Sequence, residues 1–150
     1  MWEKSKKTIF WIVGLFLVAA AGAIGKQLGG ELFKPSKAEA LNSLVNEAAA
    51  RINAQAPKKL DEITTLVRAE AMSGNKLATY YTLKNYDSYA KDFSFSAARL
   101  AVTKNVCDKQ GALAQSPLAL GMTHQYIYTR ENGTEIGRFE VTKRDCYKPR

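Results

Sequence analysis

The chain has 150 residues, 46% of them hydrophobic, with 22 Lys and Arg against 14 Asp and Glu for a net charge of +8. This length supports one domain with its own core, and the basic charges are scattered rather than blocked, as on a solvated face that favours anionic surfaces only weakly. A single histidine and two cysteines cannot furnish the four ligands of a structural zinc site, and no cofactor is implied.

In chain order, the first elements concern targeting. Lys4, Lys6 and Lys7 precede an uncharged stretch over residues 8–25 that carries Ile9, Phe10, Trp11, Ile12, Val13, Leu15, Phe16, Leu17, Val18 and Ile24. About 18 such residues meet the lower limit for a membrane-spanning helix. The lysines on its N-terminal side predict a cytoplasmic N-terminus and a periplasmic C-terminal domain. Residues 1–25 therefore read as a basic leader and a single-pass anchor in the bacterial inner membrane. A cleaved signal is the competing reading, with Ala19, Ala20 and Ala21 as the small residues at the cleavage point. Gly25 and Gly29 have the small-xxx-small spacing of helices that approach closely in lipid, which leaves self-association open. Residues 26–35 form a linker punctuated by Gly29, Gly30 and Pro35. Export removes nucleic acid as a partner.

Residues 36–146 make up the expected periplasmic domain, with a tail over 147–150. Ser36 and Glu39 have capping-box spacing, and Leu41, Leu44, Val45, Ala48 and Ile52 recur at helical spacing. A helix is expected over Lys37–Gln55, stopping before Pro57. Residues 60–72 read as a strand that is cleanly amphipathic on neither face. Ser73, Gly74 and Asn75 form a turn into a second strand with Leu77, Thr79, Tyr81 and Leu83 alternating. Residues 88–107 return to a helical period, 108–121 are loop-like, and Asn132-Gly133 joins two strands over 122–130 and 135–143. The fold class is α+β: an N-terminal transmembrane helix, then α-β-β-α-β-β, with a four-stranded antiparallel sheet packed on helices.

Cys107 and Cys146 fall in the exported part, where an even count implies one disulfide. No catalytic or metal motif is present, and the chain reads as a non-enzyme. His124 lies mid-strand with no carboxylate or nucleophile beside it in sequence, and Asp61 and Glu62 are neighbours that point to opposite faces. Among the seven tyrosines, Tyr80, Tyr126 and Tyr128 lie in the inner strands. With His124 they form a candidate interaction surface, because tyrosine is enriched in interface cores. Core packing and cross-strand pairing is the plainer use of the same rings.

The run Asn53 to Pro57, Leu60 to Leu66, Gly74 to Lys76 leading into Tyr81 to Leu83, and Cys107, Tyr126 and Cys146 downstream resemble a largely uncharacterised family of small bacterial envelope proteins. The resemblance implies an N-terminal apolar segment and an exported α+β domain, with no catalytic residue. A helix laid on a curved antiparallel sheet is also similar to the secretion pilotins, as an analogy of fold. The expected function is a membrane-tethered interaction domain that binds another envelope protein, as an accessory of an envelope assembly or an immunity or exclusion protein. The sheet's aromatic face or an open edge would supply the contact, and the membrane would be engaged through residues 8–25. A carrier of a small ligand or lipid is the alternative.

Overall fold

The computed structural model describes residues 36–111 and 116–147. Helix α1 spans Lys37–Gln55, with Ser36 Oγ accepting the Glu39 N–H and Glu39 returning a carboxylate to the Ser36 N–H. One stripe of it is buried, formed by Leu41, Leu44, Val45, Ala48, Ala49 and Ile52. The strands are β1 (Lys58–Lys59), β2 (Thr64–Met72), β3 (Lys76–Leu83), β4 (Thr123–Arg130) and β5 (Glu135–Val141). Two helical pieces separate β3 from β4, α2 (Tyr86–Tyr89) and α3 (Phe95–Val106), and α4 (Lys143–Cys146) follows β5. A π-turn over Cys107–Gly111 continues α3.

The sheet has five strands in the order β1-β2-β3-β4-β5, and all pairs are antiparallel except β3 with β4. The expected four-stranded antiparallel sheet is thus corrected to a five-stranded mixed one. The central pair is parallel because the connection over residues 84–122 is long enough to return the chain to the end where β3 began, which a hairpin turn cannot do. The additional strand, β1, is a two-residue edge piece that pattern reading passes over. The helix expected over 88–107 is broken after α2 and restarts at Phe95, where Ser94 Oγ accepts the Ala97 N–H.

A bulge explains why residues 60–72 alternate poorly. Leu66 pairs with Tyr81 and Arg68 with Tyr80, so Val67 is an extra residue. Thr64 and Leu66 face the helices before it, Ala69 and Ala71 after it, and the inward set changes from even to odd numbers. The strand begins at Thr64 rather than at residue 60 because Asp61 Oδ1 accepts the N–H groups of Ile63 and Thr64, which makes a turn instead of a ladder.

The expected leader, anchor and linker over 1–35 lie outside the described residues. The single-pass inner-membrane expectation is corrected on this finding: among the described residues no helix is long and apolar enough to cross a membrane. The stretch at 8–25 on which that expectation rests is not among them.

Candidate functional site

The sheet has two unlike faces. On the face covered by α1 and α3, register brings Tyr81 beside Tyr128, Thr79 beside Tyr126, Leu77 beside His124, and Tyr126 beside Phe139. The rings of Tyr81 and Tyr128 stack at 5.3 Å, those of Tyr126 and Phe139 at 5.1 Å, and Phe95 of α3 meets Phe139 edge-on at 5.6 Å. One apolar cluster joins these residues to the inner stripes of both helices.

The expected interaction surface of Tyr80, Tyr126, Tyr128 and His124 is corrected by this arrangement. His124, Tyr126 and Tyr128 are 2%, 0% and 3% exposed and lie inside. Tyr80 points to the opposite face, where its hydroxyl donates to Glu70 at 3.2 Å and the Arg68 guanidinium lies 3.6 Å over its ring. The cause is the period of two: an even-numbered position in β3 and an even-numbered position in β4 face opposite ways in this register. Burial pushes His124 down to about 4 and raises the Tyr126 and Tyr128 hydroxyls well above their ordinary value. Neither ring nitrogen of His124 has a partner among the described residues, so the geometry brings it no group with which to do acid–base chemistry.

Cys107 and Cys146 are joined with Sγ atoms 2.04 Å apart, which ties the end of α3 to the short helix after β5. No group of three or more His, Cys, Asp or Glu residues that could hold a metal lies together among the described residues.

On the open face the charges answer one another. Glu140 accepts from Lys76 Nζ and, at 3.1 Å, from Gln125 Nε2, so one carboxylate links β3, β4 and β5. Arg68 donates to Glu70, and Arg138 to Glu135. Beneath these long side chains Ala78 and Ile127 are buried, and Ile127 pairs with Tyr80 on one side and Arg138 on the other. The face is self-neutralised and solvated.

A pocket of about 450 Å³ opens beyond the carboxyl ends of β3 and β4, between the loop of Tyr86 and Ser88 and the turn of Arg130 and Asn132. Its polar groups are spent on each other. Arg130 Nε donates to Asp87 at 3.0 Å, Glu131 accepts the Asn85 N–H at 3.1 Å, and Ser88 Oγ donates to the Asn85 carbonyl at 2.8 Å. The serine hydroxyl is bonded to a backbone carbonyl rather than to a base, and the concavity is a recess between two loops. Sequence reading missed it because its residues are turn residues in two distant segments.

The two edges of the sheet also differ. On the β2 side, β1 pairs with Thr65 and Leu66, and where it ends Asn53 takes over: its Nδ2 donates to the Ala69 carbonyl and its Oδ1 accepts the Ala69 N–H, both at 2.8 Å. Two lysines and Pro57 blunt whatever remains. On the other side, β5 hydrogen-bonds to β4 alone, and no other backbone bond among the described residues involves residues 136–141. Asn53 carried a signal, a helical asparagine at the C-terminal end of an otherwise apolar stripe, and pattern reading did not use it.

No protein-family model matches the sequence, and no curated protein matches it either. Solved structures do match in fold. The pilotin EpsS of the type 2 secretion system of Vibrio vulnificus superposes with a TM-score of 0.60 at 18% identity, over 76% of this chain and 97% of that one. A Pseudomonas aeruginosa protein described as secreted gives 0.62 at 16% identity, over 76% and 99%. The type II secretion system pilotin AspS of Vibrio cholerae gives 0.58 at 17% identity, over 73% and 95%. Two of these neighbours are secretion-system pilotins and one is described as secreted, and the likeness establishes the shared fold.

Proposed function

We propose that the chain is a non-enzymatic accessory of a bacterial envelope assembly that binds another envelope protein along β5. The observation that carries this reading is the backbone edge of β5, unpaired among the described residues, set against an opposite edge that β1 and Asn53 close. On the sheet, Tyr81, Tyr126, Tyr128 and Phe139 are spent on the core, Tyr80 is covered by Arg68, and the open face pairs its own charges. A row of free N–H and C=O groups is matched by one chemistry, an extended peptide that adds as a further strand. The fold likeness to two secretion pilotins supports an envelope assembly as the setting.

A photo-cross-linking residue placed at Arg138 on β5, and separately at Asn46 on the exposed side of α1, tests this in the native host. The β5 position is expected to yield one dominant adduct with an envelope protein and the α1 position none. Equal labelling from both, or no adduct from β5 in cells that use the protein, sinks the proposal.

A further inference from the structure

The turn that opens β2 holds polar atoms that have no hydrogen-bond partner among the described residues. Asp61 commits Oδ1 to the N–H groups of Ile63 and Thr64, at 2.9 and 2.8 Å. Its other oxygen, Oδ2, is buried without a hydrogen-bond partner among the described residues, and so are Thr64 Oγ1 and the Tyr128 hydroxyl. Thr64 is fully buried and Tyr128 nearly so. Register sets them on one face at one end of the sheet, since Thr64 pairs with Leu83, Leu66 with Tyr81, and Tyr81 with Tyr128. Asp61 is also near enough to be felt by the tyrosine: burial raises the Tyr128 hydroxyl most, and the charges of Tyr81 and Asp61 raise it further.

Native interiors retain few unpaired polar groups, and three at the same end of one core call for a partner that they can share. Asp61 Oδ2 can only accept, while each hydroxyl can donate once and accept. We infer that an internal water molecule binds between Asp61, Thr64 and Tyr128 and ties the turn after β1 to the inner strand β4. The water accepts from the Tyr128 O–H and donates one hydrogen to Asp61 Oδ2 and the other to Thr64 Oγ1. Three partners is the usual complement of a buried water. One carboxylate with two neutral hydroxyls suits water better than a divalent cation, which draws on more oxygen ligands.

Conservative variants of the full chain decide the matter by the sign of their effect. Tyr128→Phe removes the donor to the water and Thr64→Val an acceptor, and each is expected to lower the folding equilibrium constant about tenfold in urea titrations. A hydroxyl that is merely buried and unpaired behaves the opposite way, because deleting it relieves desolvation. An unchanged or raised constant in Tyr128→Phe overturns the inference. The double variant should lose less than the product of the two single effects, since both act through one molecule, and multiplicative losses also overturn it. In a high-resolution crystal structure the water is expected within hydrogen-bond distance of all three oxygens, and a direct bond from Tyr128 to Asp61 in its place would refute it.

Discussion

Residues one apart in the same strands meet opposite fates on the two faces of this sheet. Tyr81 is stacked between Tyr126 and Tyr128 in the core, while Tyr80 beside it lies under a guanidinium in water. Tyr126 pairs with Phe139 under the helices, and the next residues, Ile127 and Arg138, pair on the open face. The helix face is held by packed rings whose removal leaves a hole; the open face is held by exchangeable ion pairs that water can replace. The recognition proposed above is therefore assigned to the rim, where β5 ends the ladder. The same residue type has a structural use on one face and a solvated use on the other, and only the register says which.

The largest effect that can break this contrast lies at the centre of the helix face. Tyr126→Ala removes a fully buried ring that contacts Tyr81 and Phe139, and should cost about 3 to 5 kcal/mol in denaturant unfolding. A cost under about 1 kcal/mol, the level of surface positions, would mean that the face is loosely filled. Next comes acid. His124 is held neutral by burial down to about pH 4, whereas in the unfolded chain it takes a proton near its ordinary value of 6.5. Between those values the unfolded state binds more protons, so stability falls as pH falls, by up to about 3 kcal/mol across the window, and is unaffected by this group above it. His124→Phe should flatten the part of the urea midpoint's pH dependence that lies between pH 4 and 6.5. A profile identical to the parent's would show that some other group carries the slope.

A smaller effect sharpens the seating of α3. A Cβ added at Gly137 would stand 3.0 Å from the Phe95 ring, which is itself wedged against Tyr128 and Phe139. Gly137→Ala is expected to destabilise by about 1 kcal/mol through overpacking, and Phe95→Leu in the same chain should relieve part of that loss. Additive effects would show that α3 does not sit where the aromatic contacts put it.

These contrasts mark where the sequence was readable. Helix α1 was legible to the residue, because Ser36 and Glu39 cap it locally and Pro57 follows it; every cue is within one or two turns. The Asn-Gly turn before β5 was legible for the same reason. What was not legible depends on partners distant in sequence. The parallel pairing of β3 with β4 is set by how a connection of nearly 40 residues crosses the sheet, and no short pattern encodes that. The aromatic surface proposed from Tyr80, Tyr126 and Tyr128 failed because parity along one strand says nothing about parity in another until they are aligned. Val67 illustrates the limit within a single strand: one extra residue reversed the inward set, and the mixed alternation over 60–72 that looked like noise was the bulge itself. The edge asymmetry needed Asn53 to be placed beside Ala69, which are 16 residues and two elements apart.

The smallest expected effect is the one that tests whether the open face is solvated at all. Glu140 accepts from Lys76 and Gln125 through one oxygen, and its side chain and that of Lys76 are 41% and 29% exposed. Glu140→Gln keeps a carbonyl oxygen that either donor can still reach, so only the charge–charge attraction is lost. At this exposure that attraction is worth about 0 to 1 kcal/mol and is screened by salt. The variant should unfold within about 1 kcal/mol of the parent at low salt, and the gap should shrink in 0.5 M salt, on the order of 4 Å of Debye length. A loss above about 2 kcal/mol that persists in high salt would mean that Glu140 is a desolvated charge whose partner has been stranded. In that case the open face would be a second packed face, and the proposed confinement of recognition to β5 would fail.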